Sequence, residues 1–525
     1  MALSEIKVEA AKPEEFKVVP DVLVIGGGNT GIITALAVAA NQPVTIVESG
    51  DKLGSMADAL KGNSRIKVLT GTKVIALDGL MGEFVVRLES SGKKWKEKFG
   101  GVVVATEAQA VFKPERWGVS PGNQVCAVGA LLDAVKGGAK FGSVAIAIDE
   151  DQESLEPSAK ALEAAISVAK AGGQVAFFFE DMKVSGDNLE QLYTKARELG
   201  VKFMKYVEKP KFSVGASGVT VSYKDPFLGL ETKVVGEGVA FSEEYLPAPD
   251  TAELADVLWV TLGPGGFFQP DNIHFLPVKS NREGIYFVGN CHGPIFGIEI
   301  YREAQSAAGE LAKLAAGKAK VSGLHAQIES DKCALCLTCY RSCPHRAIYV
   351  EHRADINNIY KGAAKVHGLS CRMCGNCASE CPAKAIQLPN FTDQQVVDSV
   401  SAQPKVVAYA CENSAYIASE LAKELNLNVP DSVEVVKVPC SGKMDIIHIL
   451  KALEKGAKGV MLLVCHPDSC KYVWGNVRAE KRLTYTRKLL GEVGISGDRI
   501  EIFHLGANMG NQFQAAVTSM VERLK

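Results

Sequence analysis

Residues 333–344 read CALCLTCYRSCP, and residues 371–382 read CRMCGNCASECP. Each stretch sets three cysteines at two-residue gaps, a fourth after three more residues, and a proline directly behind it. A C-x-x-C-x-x-C loop is short enough to wrap three corners of a cubane iron–sulfur cluster, and Pro344 and Pro382 keep the chain from continuing as helix. Zinc ribbons also use C-x-x-C pairs, but two complete four-cysteine runs favour iron and sulfide.

The two runs resemble those of ferredoxins that carry two [4Fe-4S] clusters, in which the fourth cysteine of each run serves the other cluster. The resemblance implies one ligand set of Cys333, Cys336, Cys339 and Cys381, and a second of Cys371, Cys374, Cys377 and Cys343.

The chain has 525 residues, enough for three or four domains of about 150 residues each. Its formal net charge is −2 without long blocks of one sign, which argues against a nucleic-acid or anionic-lipid surface. Of its 14 cysteines, only Cys126 and Cys291 lie outside the metal-type spacings beyond residue 330. Such spacing belongs to a reducing compartment, so a cytoplasmic location is expected. The N-terminal MALSEIKVEAAKPEEF lacks the apolar core of a secretory signal, and no run of eighteen apolar residues occurs. Any membrane contact is therefore expected through a partner.

The first structured element is expected at residues 21–49, DVLVIGGGNTGIITALAVAANQPVTIVES. An apolar strand, Val22 to Ile25, enters Gly26, Gly28 and Gly31; a helix follows, and a second strand ends at Glu48. This is the dinucleotide fingerprint in its proper context, with glycines for the tight turn, the pyrophosphate approach and the helix packing, and an acid for a ribose hydroxyl. Asn29, Thr30 and Ser49 complete the expected cofactor-binding set. Residues 282–314, REGIYFVGNCHGPIFGIEIYREAQSAAGELAKL, predict a strand, a glycine turn and a long Ala-rich helix. FAD enzymes use that arrangement, with Gly289 and Asn290 at the pyrophosphate and ribityl chain. GGVVVATEAQ (100–109) and ADVLWVTLGPGG (255–266) both read as strands of the same domain, and Glu107 stands where a glycine is usual.

Between these parts, residues 141–179 read as strand, helix and strand, with Asp149, Glu150, Asp151 and Glu153 in the first turn. Acids there repel a pyrophosphate, so NAD(P)H is not expected. No C-x4-C redox pair is present; Cys126 and Cys291 read as small buried hydrophobes, Cys291 being the nearer to a flavin.

Beyond the polar link 388–404, the strands KVVAYA, VEVVKV and GVMLLV alternate with helical patterns and imply a small parallel sheet. Cys411, Cys440 and Cys465 follow the three strands, and Cys470 lies in the loop HPDSC. Strand ends of one polarity share the ligand edge of such a sheet, so these four cysteines are expected to converge. Their chemistry leaves a [2Fe-2S] cluster and a four-thiolate zinc both open. His466 is a candidate outer partner, although a surface histidine is commoner.

Residues 20 to about 390 resemble the flavoprotein A subunit of heterodisulfide reductases, through VIGGGNTG, GIYFVGNCHGP with its long helix, and the two adjacent ferredoxin runs. Residues 405–525 resemble the delta iron–sulfur subunit of methyl-viologen-reducing hydrogenases, through CENSAY, PCSGKMD and CHPDSC. Fused in this order, they are similar to the B subunit of the quinone-interacting membrane-bound oxidoreductase, which links the quinone pool to adenylylsulfate reductase. The resemblance implies FAD, two [4Fe-4S] clusters and, in preference to zinc, a [2Fe-2S] centre at Cys411, Cys440, Cys465 and Cys470. It implies an oxidoreductase subunit that transfers electrons within a complex. The expected partners are a second flavoprotein, a membrane quinone-reactive subunit, and adenylylsulfate reductase or another soluble redox protein; the place is the cytoplasm or the inner face of the membrane. No catalytic acid, base or nucleophile stands out.

Three departures bear on this. The helical stretch PSAKALEAAISVAKAG has no cysteine, the turn LGSMADAL is short for a flavin loop, and Ala410 and Ser414 flank Cys411 where delta subunits carry further cysteines. Alternative readings are an electron-bifurcating heterodisulfide reductase component working with ferredoxin and a disulfide, and a scaffold with an empty flavin site. The expected fold class is α/β: a Rossmann-type FAD domain (18–125 and 251–320), an inserted α/β domain (126–250), a ferredoxin domain (321–392) and a hydrogenase-delta-like domain (403–525).

Overall fold

Val22–Ile25 and Gly101–Val104 are buried at every residue, the pattern of parallel strands covered on both faces. They sit inside a parallel sheet ordered Ile285–Phe287, Gly101–Val104, Val22–Ile25, Val44–Val47, Ile66–Leu69. The computed structural model describes all residues other than 1, 5, 7, 8, 149–154, 187, 217, 272–276, 296 and 468. The acidic turn of Asp149, Glu150, Asp151 and Glu153 therefore lies outside the described residues. Helix Asn29–Ala39 leaves the glycine turn and packs on helix Gly297–Leu311. A Cβ at Gly31 would stand 1.9 Å from the Gly26 carbonyl oxygen, so only glycine lets the helix approach the turn this closely.

A second parallel sheet runs Val125–Ala127, Gly238–Phe241, Ser143–Ala147, Gln174–Phe179, Lys202–Lys205, with helix Glu156–Lys170 connecting its third and fourth strands. One expected strand of the first unit is instead a helix. Thr251–Leu258 is α-helical and stops at Trp259, whose φ is 58°. The apolar run after Ala255 has no clear period of its own, but Leu254, Ala255 and Leu258 bury at helical spacing behind Asp250 and Thr251.

The C-terminal sheet is parallel throughout, in the order Ala2–Ser4, Val433–Val438, Val406–Cys411, Gly459–Val464, Ile500–His504. Its three central strands are those read from the sequence; both edge strands are additions. The structured chain thus begins before Val22: Ala2–Ser4 pairs with Glu434–Val436, and Glu14–Lys17 pairs with Lys318–Val321. Strands this short carry little apolar signal.

The polar link holds helix Asp393–Asp398, started by a capping box between Thr392 and Gln395. Asp393 accepts from the fully buried Lys443 ammonium and lies 3.1 Å from His448 Nε2. Burial alone would raise the Asp393 carboxyl, but the His448 hydrogen bond and the Lys443 charge hold it well below the usual carboxylate range. A depressed carboxyl adds stability above its unfolded value of about 4 and loses it as pH falls toward the folded value. Removing one partner of a buried pair costs about 3–5 kcal/mol. Asp393→Ala is therefore expected to lower the urea midpoint of the C-terminal unit at neutral pH, with the gap from wild type narrowing below about pH 4. Equal midpoints at pH 7 would contradict this role.

Candidate metal centres and dinucleotide site

The two cysteine runs share a backbone device. Leu335 and Leu337 have φ of 48° and 59°, and the matching Met373 and Gly375 have 57° and 76°. Left-handed residues spaced in this way turn backbone N–H groups toward one side and make an anion-binding concavity. Non-glycine residues held so cost on the order of 1–3 kcal/mol each, a cost consistent with a binding role for both loops. Short helices, Thr338–Ser342 and Asn376–Glu380, then carry Cys339 and Cys377 and deliver Cys343 and Cys381 just past their ends.

The fourth cysteines cross over. Cys381 lines one cavity with Cys333, Cys336 and Cys339. Cys343 stands within electrostatic reach of Cys371, Cys374 and Cys377. Burial pushes the Cys339 thiol up to about 11 and also raises Cys343, Cys371, Cys374 and Cys377. Exposed Cys336 is instead lowered by its hydrogen bonding to Thr338. Thiols that resist ionisation alone surrender their protons to a metal core, whose positive charge offsets the burial cost. Donor type, grouping and concave backbone all fit a cubane at each place.

In the C-terminal unit the four cysteines meet as a closed ring. Cys411 neighbours Cys440 and Cys465, and Cys470 neighbours the same two from the opposite corner. Cys411 and Cys465 have their sulfurs 3.7 Å apart. Hydrogen bonds among the ring partners push Cys411 and Cys470 down and Cys440 and Cys465 up, so the four thiols titrate as one coupled group. Three further residues donate to the ring or make room for it; Ser414 and Gly442 lie in the stretches CENSAY and PCSGKMD, while Gly475 carried no sequence signal. Ser414 Oγ lies 3.4 Å from Cys465 Sγ, and Gly442 N donates to Cys440 Sγ at 3.3 Å. At Gly475 a Cβ would come within 2.3 Å of Cys440 Sγ, so its missing side chain makes room for the ring. His466 does not join it: its Nε2 lies 3.2 Å from Met509 Sδ.

The ring and the second ferredoxin set adjoin. Cys374 belongs to one buried cluster with Cys411, Cys440, Cys465, Cys470 and Tyr472. Asn376, beside it, packs so tightly on the turn Ser441–Lys443 that a Cβ at Gly442 would stand 1.9 Å from Asn376 Oδ1. On its other side, this ferredoxin loop is fastened to the first unit. Arg372 is ion-paired with Asp271 and with Glu283, the latter at 2.7 Å. Asn281 Nδ2 donates to the Pro344 carbonyl at 3.1 Å, and His345 Nδ1 donates back to the Asn281 carbonyl at 3.0 Å.

The dinucleotide residues also assemble. Gly26 (φ 111°) makes the turn, where a Cβ would lie 2.5 Å from the Ala105 carbonyl oxygen. Glu48 accepts from Gly27 N at 2.6 Å and Gly50 N at 2.7 Å, with Ser49 Oγ at 3.4 Å. Asn29 Oδ1 accepts from Met56 N at 3.0 Å and so ties the helix start to the shortened loop. Gly26, Gly28, Glu48, Thr106 and Glu107 line a cavity of about 460 Å³. Thr106 Oγ1, on the cavity lining, is buried without a hydrogen-bond partner, as a hydroxyl facing a ligand would be; Thr30 Oγ1 is also unpartnered and lies beside Gly289. Turn, acid and orphan hydroxyl fit a dinucleotide. On the diphosphate side, however, Thr30 N donates to Glu107 Oε1 at 3.0 Å, and Gly289 N donates to Glu303 Oε2 at 2.7 Å. Asn290 Nδ2 lies 3.4 Å from Glu107 Oε2. Glu303, in the middle of a helix, gave no sequence signal. Cys291 is buried, its sulfur 3.2 Å from the Val104 carbonyl oxygen, as expected of a small hydrophobe; half-buried Cys126 is pushed up to about 11 by burial.

Comparison with known proteins agrees with this division. Residues 406–525 match the family described as methyl-viologen-reducing hydrogenase, delta subunit, and residues 325–382 match the 4Fe-4S dicluster domain. The C-terminal part is 38% identical over 122 residues to the iron-sulfur subunit of the vhu F420-non-reducing hydrogenase of Methanocaldococcus jannaschii, covering 23% of this chain and 91% of that protein. Through this segment the chain belongs to the hydrogenase delta-subunit family. The part preceding the delta-subunit segment is similar to the A subunit of the ferredoxin:CoB-CoM heterodisulfide reductase of Methanosarcina mazei, 27% identical over 365 residues. That match covers 67% of this chain and 44% of the reductase protein, so the chain spans less than half the length of that relative. A thioredoxin reductase from T. acidophilum overlays 56% of the chain and 98% of its own at 16% identity, with a TM-score of 0.39. The chain thus joins a heterodisulfide-reductase-A-like portion to a delta-subunit segment.

The crossed cysteine sets are testable by spectroscopy. The electron paramagnetic resonance signal lost in Cys381→Ala is expected to be the one lost in Cys333→Ala, and to differ from the one lost in Cys371→Ala. Loss shared by Cys381→Ala and Cys371→Ala would contradict the crossing.

Proposed function

We propose that the chain is an oxidoreductase subunit that transfers electrons within a multi-subunit complex of heterodisulfide-reductase or quinone-interacting type. It would hold two [4Fe-4S] clusters, one [2Fe-2S] cluster and one FAD, in the four domains read from the sequence. The observation that carries this reading is the junction at Cys374, a ferredoxin-type ligand packed into the buried ring of the C-terminal unit. When bound, iron–sulfur clusters exchange single electrons and a flavin exchanges one or two. The protein's part is to hold, orient and dehydrate. Cys333, Cys336, Cys339 and Cys381 would hold one cubane, and Cys371, Cys374, Cys377 and Cys343 the other; Cys411, Cys440, Cys465 and Cys470 would hold the two-iron centre. Cys411 and Cys440 are almost wholly shielded, and a dry apolar shell of that kind tunes reduction potential. Arg372 fixes the second cubane loop against the turn before Ile285–Phe287, the strand that leads to Gly289 and Asn290.

The likeness to one component of a heterodisulfide reductase and to the iron–sulfur subunit of a hydrogenase supports a place in a larger assembly. The partners inferred from the sequence resemblance are a second flavoprotein, a membrane quinone-reactive subunit, and a soluble redox protein such as adenylylsulfate reductase. Among the described residues no helix is long and apolar enough to cross a membrane. An anaerobic assay of the purified chain is expected to give about ten irons and no stoichiometric zinc, from two cubanes and one two-iron centre. About eight irons with one zinc would make the C-terminal ring structural and overturn its redox role.

A further inference from the structure

We infer that Glu107 is an internal anion that competes with a dinucleotide's diphosphate for the N-terminus of helix Asn29–Ala39, so that FAD is held weakly and exchangeably. The inference rests on the FAD assignment proposed above. A helix start presents unsatisfied N–H groups and a partial positive charge, which is why dinucleotide folds seat the diphosphate there. Here that place has an occupant from the chain itself.

Thr30 N donates to Glu107 Oε1 at 3.0 Å. A Cβ at Gly28 would lie 2.6 Å from both Cγ and Oε1 of Glu107, so the carboxylate fills the space that this glycine leaves open for pyrophosphate. Its other oxygen is 3.4 Å from Asn290 Nδ2, so Glu107 spans the two elements that should grip the ligand from either side. Glu303 repeats the arrangement opposite, taking Gly289 N at 2.7 Å, with His292 Nε2 at 3.0 Å.

Charge works in the same direction. The cavity lining includes the carboxylates of Glu48, Glu107, Asp250 and Glu253 against the ammonium groups of Lys52 and Lys73. A diphosphate entering it must turn Glu107 out of its two contacts or stand against it as a like charge. The unpartnered hydroxyl of Thr106, on the cavity lining, is a ligand-facing polar atom that is retained, which separates a weakened site from an abandoned one.

The test uses the full chain with its clusters intact, desalted to remove flavin and titrated anaerobically with FAD by flavin fluorescence. Glu107→Gly is expected to bind FAD at least about tenfold tighter than wild type, the equivalent of about 1.4 kcal/mol. Glu107→Gln should fall between them, because its amide oxygen still accepts from Thr30 N but carries no charge. Iron and sulfide contents, equal in all three proteins, verify the fold; if Glu107→Gly loses iron, Glu107→Gln alone decides. Wild-type protein that keeps stoichiometric FAD through desalting, with neither variant tighter, would overturn the inference and leave the FAD assignment standing. Failure of all three proteins to bind FAD would overturn both.

Discussion

Thiolates cannot be gathered in a dry interior without a compensating positive charge, and the C-terminal half of this protein is arranged around that constraint. Twelve cysteines come together as two four-cysteine sets and one ring, and burial raises five of the ferredoxin-type thiols, Cys339, Cys343, Cys371, Cys374 and Cys377, toward the neutral form. Both ferredoxin-type loops carry left-handed residues at matching positions, the conformation that makes backbone anion-binding concavities. The two features make sense once a cationic core with sulfide bridges is present, which explains why the chain accepts backbone strain and buried acids of the cysteine type side by side.

The same constraint shapes how the units meet. Cys374 enters the cluster of ring cysteines, so its loop must be held at fixed separation from two neighbouring units. On one side Asn376 and Gly442 leave no room for even a methyl group. On the other, Arg372 is shared between Asp271 and Glu283, a pairing that is nearly solvent-free. Burying such a group is costly unless every partner is in place. The arrangement therefore disfavours sliding at both junctions. The first unit is different in character: its glycine turn and Glu48 follow the dinucleotide pattern closely, while Glu107 and Glu303 answer the donors that pattern would present to a diphosphate.

Metal spacing and glycine turns were legible because each is local: three cysteines on one loop, or one strand feeding one helix. The convergence of Cys411, Cys440, Cys465 and Cys470 was legible because parallel strands end on a common edge. What escaped was non-local or weakly apolar. Ala2–Ser4 joins a sheet whose other strands lie beyond residue 400, and no pattern within three residues announces that. The apolar run after Ala255 reads as a strand until Leu254 and Leu258 are seen on one buried helical face. Ser414 and Gly475 support the ring only through contacts made across loops. Glu107 could be noticed as an exception in the sequence, but only the structure shows where its carboxylate goes.

The central claim is that the second cubane and the C-terminal ring form one continuous path joined at Cys374. The most direct measurement is the electron paramagnetic resonance spectrum of the fully reduced chain, compared with that of Cys440→Ala. The account predicts signals broadened or split by magnetic interaction between the two centres, reduced in the variant to the interaction between the two cubanes alone. A wild-type spectrum that is the plain sum of isolated centres would contradict it.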